Sequence, residues 1–285
     1  MNAIQIKNVS KQYKDVMALD DVSFLLSMVR LWFLGRNGAG KSTLINIIAN
    51  RIFADSGEIL IDNDLAKENM NVHEKIFCMS EVDLYDTSLK IKDHFKWIEK
   101  FYNSFNKEKA FEIAEKFNLD TNKRFKALSK GYQSIFKLTV ALAIDVPYVI
   151  FDEPVLGLDA NHRELFYNLL LKDYEESENT IIIATHLIEE VANIIEEVVL
   201  IDKGKVLLQS NVDSLLEMGY SVSGPASEVD AYCIDKNVIG DDELGNLKIA
   251  YIIGKKTQLS KESHLSFANM NLQKLFVKLT EKGGN

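Results

Sequence analysis

The sequence predicts an α/β protein with a buried parallel β-sheet, and three observations favour this fold class. Residues 35–42 read Gly-Arg-Asn-Gly-Ala-Gly-Lys-Ser, a complete G-x-x-x-x-G-K-[ST] loop that leads into an apolar, helix-like run. Residues 148–154 form an apolar run that ends in two acids and a proline, a pattern typical of a buried parallel strand. Strand-like and helix-like segments then alternate from residue 148 to residue 206.

The first elements along the chain lead to the glycine-rich loop. A β-rich opening is expected from Ile4 to Leu34, a helix over residues 42–50 and a strand near residues 58–61. The glycines let successive backbone N–H groups turn toward phosphate oxygens, while Lys41 adds a positive charge and the Ser42 hydroxyl is a potential Mg²⁺ ligand. Taken alone, the loop could also be an ordinary turn before a helix. The candidate phosphate-binding residues are Gly35, Arg36, Asn37, Gly38, Ala39, Gly40, Lys41, Ser42 and Thr43.

The strand at residues 148–154 would place its acids beside this loop. Ligands of open α/β sheets bind outside the carboxyl ends of the strands, and both motifs lie at that edge. Asp152 is therefore expected to hold Mg²⁺, through water. Glu153 is expected to orient and deprotonate the water that attacks a γ-phosphate.

Further segments along residues 4–205 resemble, in the same order, the motifs of the nucleotide-binding subunit of ATP-binding cassette (ABC) transporters. Leu-Ser-Lys-Gly-Tyr at residues 128–132 resembles the signature motif, and Gly-Leu-Asp at residues 157–159 resembles the loop that crosses between two subunits. Tyr13 resembles the aromatic residue that stacks on adenine. His186, after the apolar strand at residues 180–184, resembles the switch histidine.

The resemblance implies a role for each of these residues. Ser129 and Gly131 would contact the γ-phosphate of an ATP molecule held by a partner subunit, at the N-terminus of a helix. His186 would contact the γ-phosphate in its own subunit, together with Lys41. Without the resemblance, Tyr13 would be a surface aromatic, Ser129 a helix N-cap and His186 a polar residue at the end of a strand.

The same resemblance implies the architecture and the partners. We expect a P-loop NTPase (RecA-like) core over residues 1–212, with a β-rich N-terminal part and a helical subdomain over about residues 88–145. A small α/β appendage is expected over residues 213–285. The cofactors would be ATP and Mg²⁺, and the subunit would form a homodimer or a heterodimer with a second ABC ATPase. A separate membrane-spanning permease would complete a bacterial exporter, of the type that handles antimicrobial or cytolytic peptides.

Several positions depart from the family pattern. The usual form of the signature is Leu-Ser-Gly-Gly-Gln, so Lys130 and Tyr132 replace its first glycine and its glutamine, and Ile135 stands where many members carry arginine. No glutamine occurs in residues 79–83, so Glu81 is the candidate substitute for the glutamine that binds metal-bound water. Trp32 is bulky for a central strand next to a phosphate site.

Secondary-structure patterns outside the motifs are less specific. Between residues 88 and 145 one apolar stripe recurs at helical spacing: Ile91, Phe95, Ile98, Tyr102 and Phe105. Trp97 and Phe101 lie off this stripe, so they either are buried within the helical lobe or line a groove for a short helix of the membrane subunit. Beyond residue 211 we expect short strands at residues 229–234 and 247–253, then an amphipathic helix that carries Leu272 and Leu275.

Composition bounds the class of protein. The 285 residues carry a formal net charge of −9, which argues against a nucleic-acid-binding surface. The two cysteines suggest neither a disulfide framework nor a metal site. Because the sequence shows neither a signal peptide nor an 18-residue apolar stretch, we expect a cytoplasmic protein without its own membrane segment, held peripherally at the inner face of the cell membrane.

Two alternatives to a transport ATPase remain from the sequence. One is a soluble ABC ATPase that acts on ribosomes or nucleic acid, although such relatives usually carry two cassettes, coiled coils or zinc-binding insertions. The other is a degenerate, regulatory cassette. Intact Lys41, Asp152, Glu153 and His186 argue against degeneration, whereas Trp32 and Glu81 keep that possibility open.

Overall fold

The computed structural model describes residues 3–27, 30–35, 38–80, 85–177, 179–256 and 264–282. The strands are β1 (Ala3–Tyr13), β2 (Val16–Ser27), β3 (Arg30–Leu34), β4 (Ser56–Ile61), β5 (Asp64–Leu65), β6 (Ile76–Met79), β7 (Tyr148–Asp152), β8 (Thr180–Ala184), β9 (Glu197–Asp202), β10 (Lys205–Asn211), β11 (Gly219–Pro225), β12 (Asn237–Leu244), β13 (Leu247–Ile253) and β14 (Ser266–Asn269). The α-helices are α1 (Lys41–Ile48), α2 (Met70–His73), α3 (Ile91–Phe101), α4 (Lys107–Lys116), α5 (Lys130–Leu142), α6 (Ala160–Glu176), α7 (Ile188–Val191), α8 (Val212–Met218), α9 (Ala226–Cys233) and α10 (Leu272–Lys282).

The chain divides into two compact units. The first comprises residues 1–186 and 199–208, and the second comprises residues 187–198 and 209–285. Among the residues that the structure describes, no helix is long and apolar enough to cross a membrane.

Two sheets form the first unit. An antiparallel sheet has the strand order β2-β1-β4-β5, and a six-stranded sheet has the order β10-β9-β3-β8-β7-β6. Within the larger sheet, β3, β8, β7 and β6 run parallel. Every residue of β7 and β8 is buried, as expected for continuous apolar runs in the middle of a parallel sheet. Apolar side chains of both sheets and of α1 form one core that includes Ile4, Leu44, Ile150 and Ile182.

The strand register brings the predicted motifs to one edge of the parallel sheet. Asp152 at the end of β7 pairs with Ala184 at the end of β8, and Ala184 also pairs with Phe33 of β3. The loop that follows β3, the two acids and the residues after β8 therefore leave the sheet side by side. This is the edge where ligands bind in open α/β sheets.

Gly204, in the turn between β9 and β10, forms backbone hydrogen bonds with the middle of β2 and with the glycine-rich loop. The Asp20 N–H donates to the Gly204 carbonyl over 2.9 Å, and the Gly204 N–H donates to the Ala39 carbonyl over 3.0 Å. The antiparallel sheet, the glycine-rich loop and the turn between β9 and β10 are thus connected through backbone hydrogen bonds.

Helices α3, α4 and α5 form the predicted helical region. Its core is aromatic: Phe95, Phe125 and Phe136 are each at most 1% exposed, with ring centroids 5.5–5.9 Å apart for the pairs that include Phe136. The predicted stripe holds for Ile91 and Phe95, which are fully buried. The predicted stripe continues beyond the end of the helix, however, because α3 ends at Phe101 and Tyr102 is 40% exposed.

The second unit contains a four-stranded antiparallel sheet in the order β12-β13-β11-β14, with a small core built on Tyr220, Val222 and Ile252. The strand predicted at residues 247–253 and the final amphipathic helix are confirmed as β13 and α10. The strand predicted at residues 229–234 is wrong, because this segment lies in and just after α9. The helix begins directly after Pro225 and has Glu228 in its first turn, where an acid interacts favourably with the helix dipole.

Candidate active site

The glycine-rich loop ends at a residue that only glycine can occupy. Gly40 caps α1 with a φ angle of 107°, in the left-handed region. A Cβ atom added to Gly40 would lie 2.4 Å from the Ala18 carbonyl oxygen, which is far inside van der Waals contact. This close approach lets α1 begin immediately behind the loop, so its first N–H groups face the place where a phosphate would bind. Arg36 and Asn37 lie outside the described residues.

Lys41 is held inside this loop. Its side chain is almost completely buried, with 7% of the residue exposed, and its Nζ donates to the Gly35 carbonyl over 2.6 Å. Burial lowers the pKa of Lys41, while the nearby carboxylates of Glu153 and Asp152 act in the opposite direction. The ammonium group therefore already sits among the backbone groups that would surround a phosphate.

Ser42 and Asp152 form the candidate metal-binding pair. The Ser42 hydroxyl donates to Asp152 Oδ1 over 3.3 Å, and Asp152 is 7% exposed. Both side chains offer the hard oxygen atoms that Mg²⁺ prefers. No cluster of three or more histidine, cysteine or acidic side chains suited to a metal occurs in the part of the chain that the structure describes. The pair therefore fits Mg²⁺ that is shared with nucleotide phosphates and water. Glu81, the other predicted ligand, lies outside the described residues.

Glu153 is fixed by both its backbone and its side chain. Its φ angle is 48°, a rare conformation for a residue with a Cβ atom, and its N–H donates to the Ala184 carbonyl over 2.8 Å. The Thr185 hydroxyl donates to Glu153 Oε2 over 3.1 Å, and His186 Nδ1 lies 3.0 Å from the same oxygen. This places a carboxylate in a defined orientation at the edge of the sheet.

Thr185 is the member of this group that the sequence motifs did not single out as a site residue. It is completely buried at the end of β8, directly before His186. The sequence does contain a feature that could have identified Thr185: its hydroxyl follows a mostly apolar strand directly and stands next to a candidate catalytic histidine. Its hydroxyl donates to Glu153, so this position contributes to holding the carboxylate.

Half of the predicted site residues meet in one cavity of about 580 Å³. It is lined by Val16, Ala18, Gly38, Ala39, Gly40, Lys41, Ser42, Thr43, Glu153, Leu156 and His186. Tyr13 is not in this lining; it lies at the end of β1 with 45% of its surface exposed, and the ammonium of Lys11 is 5.7 Å from its ring centroid. The cavity thus combines a cation, a hydroxyl, a carboxylate and an imidazole around a phosphate-sized loop.

Ser129 and Gly131 lie elsewhere, at the start of α5. The Ser129 hydroxyl caps the helix by accepting a hydrogen bond from the Tyr132 N–H over 3.3 Å. Gly131 lies close to the loop at residues 157–159, since a Cβ atom at Gly131 would be 3.1 Å from the Gly157 carbonyl oxygen. Neither residue lines the cavity that contains Lys41.

Comparisons with known proteins agree with this geometry. A family model described as "ABC transporter" matches residues 19–156. AlbC of Bacillus subtilis, assigned to the ABC transporter ATP-binding proteins, is 30% identical over 67% of this chain and 84% of its own length. The petrobactin import ATP-binding protein YclP of the same organism is 26% identical over 80% of this chain and 96% of its own length. The dimeric bacterial ABC transporter cassette MJ0796 superposes with a TM-score of 0.66 and 25% identity, over 73% of this chain and 98% of that chain. The predicted P-loop ATPase fold is confirmed.

Proposed function

Because this chain belongs to the ATP-binding proteins of ABC transporters, we propose that two such ATPase subunits close around ATP and drive a separate membrane permease. Similarity to a dimeric cassette supports the pairing. The observation that carries the catalytic part of the proposal is the orientation of Glu153 by Thr185 and His186 at the edge of the cavity that contains Lys41.

The roles of the residues follow from this arrangement. The backbone of the loop at residues 38–42 and the Lys41 ammonium bind the β- and γ-phosphates. Ser42 and Asp152 would hold Mg²⁺, which would neutralise charge on the phosphates. Glu153 accepts the proton of the attacking water, and Thr185 and His186 keep its carboxylate in place. Ser129 and Gly131, which do not line the phosphate-loop cavity of their own chain, close the site of the second subunit.

The permease would dock on the helical region. Trp97 and Phe101 are 50% and 75% exposed, so the expectation that they are buried is wrong. Their rings stack with centroids 6.1 Å apart, and both line a cavity of about 990 Å³ together with Met70, which is 78% exposed. Glu68, Glu74 and Asp86 also line this groove. An amphipathic helix with an apolar face and basic ends fits such a surface.

We expect Phe101→Glu to prevent association with the permease while basal ATP hydrolysis stays within about twofold of the parent, because the groove is remote from the phosphate loop. The measurement is co-purification with a co-expressed permease encoded beside this chain. Leu65→Glu is the matched control, since Leu65 is 45% exposed but does not line the groove. Undiminished co-purification of the Phe101→Glu protein would place the permease elsewhere.

Adenine is proposed to stack on Tyr13. A π-face is all that this contact needs, so selectivity for ATP over GTP should be small, and Tyr13→Ala should weaken ATP binding by about 1–3 kcal/mol. Fluorescence titration with an ATP analogue measures this. Phe53→Ala is the control, because Phe53 is a similarly exposed aromatic, at 44%, that lies between α1 and β4, whereas Tyr13 pairs with Val16 of the cavity lining. Equal affinity of the Tyr13→Ala variant and the parent would remove Tyr13 from the site.

We propose export as the direction of transport. The support is the Leu-Ser-Lys-Gly form of the signature and the phrase Asp-Glu-Pro-Val-Leu-Gly-Leu-Asp at residues 152–159, which resemble bacterial exporters with separate permease chains. A named relative, YclP, is an import protein, so the overall similarity does not decide the direction. ATP-dependent accumulation of a peptide inside inverted vesicles that contain the complex tests the proposal; accumulation only in right-side-out vesicles would reverse it.

A further inference from the structure

One face of α5 is polar where it meets the catalytic edge of the sheet. Lys130, Gln133, Ser134 and Lys137 recur at helical spacing, and all four line a cavity of about 300 Å³. Asp152 and Glu153 line the same cavity. Glu153 and Leu156 also border the cavity that contains Lys41, so this second cavity adjoins the candidate active site.

Lys137 is the buried cation of this second cavity. It lies in the third turn of α5 and is only 7% exposed, whereas Lys130, at the start of the helix, is exposed. Its Nζ donates to the backbone carbonyl of Ser80 over 3.3 Å. A buried lysine requires polar partners and nearby negative charge, because removal of an ammonium group from water is costly.

The position of Ser80 gives this contact a consequence for the active site. Met79, the last residue of β6, pairs with Phe151 in the parallel sheet, so Ser80 and Asp152 leave adjacent strands at the same level. Lys137 therefore connects α5 to the first residue after β6, and it lines the same cavity as Asp152. It is separated from Ser80 by 57 residues in sequence, so the contact exists only in the folded protein.

We propose that Lys137 is a positioning residue for ATP hydrolysis: its ammonium group holds the backbone at Ser80 and compensates the negative charge of the Asp152 and Glu153 carboxylates. This inference rests on the function proposed above. It assigns two effects to Lys137, one on the geometry of the site and one on the affinity for the metal. Fixing the backbone favours the catalytic geometry, whereas the positive charge opposes the binding of a divalent cation at Asp152.

The test is Lys137→Met, which keeps the length of the side chain and removes its charge. Hydrolysis should slow by about tenfold or more, while affinity for an ATP analogue without metal should stay within about twofold. Affinity of the ADP-bound protein for Mn²⁺, measured by electron paramagnetic resonance of the free ion, should increase about threefold or more. General structural damage would weaken metal binding instead.

Two further variants complete the experiment. Lys137→Arg keeps the charge and should retain the Mn²⁺ affinity of the parent. Thr139→Val is the matched control on the same helix, because the completely buried Thr139 hydroxyl donates within α5, to the Ile135 carbonyl over 2.8 Å, and Thr139 does not line the cavity. It should hydrolyse ATP like the parent.

The outcomes separate this inference from the proposed function. A Lys137→Met protein that hydrolyses ATP at the parental rate, or that loses rate with unchanged or weaker Mn²⁺ binding, overturns the positioning role. A parent protein that does not hydrolyse ATP contradicts the proposed function, whereas the Mn²⁺ measurement still tests the charge of Lys137. If the methionine variant does not fold, Lys137→Gln provides the same comparison.

Discussion

Replacement of Glu153 by glutamine is expected to slow ATP hydrolysis by about 10²–10⁴-fold, equivalent to roughly 2.7–5.4 kcal/mol in the activation barrier. Glutamine is nearly isosteric with glutamate, and its carbonyl can still accept the hydrogen bond that the Thr185 hydroxyl donates over 3.1 Å. What it loses is the ability to accept the proton of the attacking water. ATP binding should therefore persist while turnover stops.

The Glu153→Gln protein should consequently accumulate as an ATP-bound dimer. Size-exclusion chromatography with light scattering, run with Mg-ATP, measures this, and the parent should dimerise only transiently. Glu175→Gln is the control, since Glu175 is an exposed acid on α6, away from the site. Adding Ser129→Arg to Glu153→Gln should return the protein to monomer, because a charged side chain would enter the contact at the start of α5.

One result would show that the dimer is not formed by two copies of this chain. If the Glu153→Gln protein binds ATP tightly but remains monomeric, two copies of this chain do not form the sandwich. A different ATPase subunit would then have to supply the second signature helix. A Glu153→Gln protein that hydrolyses ATP at the parental rate would instead remove Glu153 from catalysis.

The second large effect is expected at Gly40. In Gly40→Ala the new Cβ atom would lie 2.4 Å from the Ala18 carbonyl oxygen and 2.9 Å from Leu19 Cδ2, so the loop or β2 must move. Since the N–H groups behind the phosphates would move with it, ATP affinity should fall about a hundredfold or more, roughly 2.7 kcal/mol. Titration with a fluorescent ATP analogue and thermal unfolding measure affinity and stability.

Gly38 provides the comparison within the same loop. It also has a positive φ angle, of 80°, but among the described residues other than its chain neighbours no heavy atom lies within 4 Å of the place where a Cβ atom would stand. Gly38→Ala should therefore cost only the backbone strain of the left-handed conformation, about 1–2 kcal/mol. If the two alanine variants bind ATP equally well, the contact with Ala18 does not determine the geometry of the loop.

The elements that the sequence predicted well are those in which one local pattern decides the structure. The apolar runs of β7 and β8 need no further information, because continuous hydrophobicity between breakers fits only a buried element. The prediction for residues 229–234 was wrong because a short, mostly apolar segment suits a strand or a helix. Pro225, the N-cap of α9, marks the helix start that the prediction missed.

Within the candidate site, the motifs predicted which residues gather but not how they are held. Sequence spacing cannot show that Thr185 donates to Glu153, since the two residues lie on different strands. Lys137 is harder still, because a lysine in a helix is usually exposed and its partner is 57 residues away. The exposure of Trp97 and Phe101 depends on which side of α3 packs against the rest of the protein, and the spacing of apolar residues did not determine this.

The hydrogen bonds that join Asp20, Ala39 and Gly204 also constrain the order in which the protein matures during synthesis. The glycine-rich loop is made within the first 42 residues, but β9, which borders β3 in the sheet, and Gly204 are made some 160 residues later. While this segment is still inside the ribosome, the nascent chain contains the complete loop but lacks β9 and Gly204 beside it. The two backbone hydrogen bonds that Gly204 makes with Asp20 and Ala39 therefore form only after Gly204 has left the ribosome.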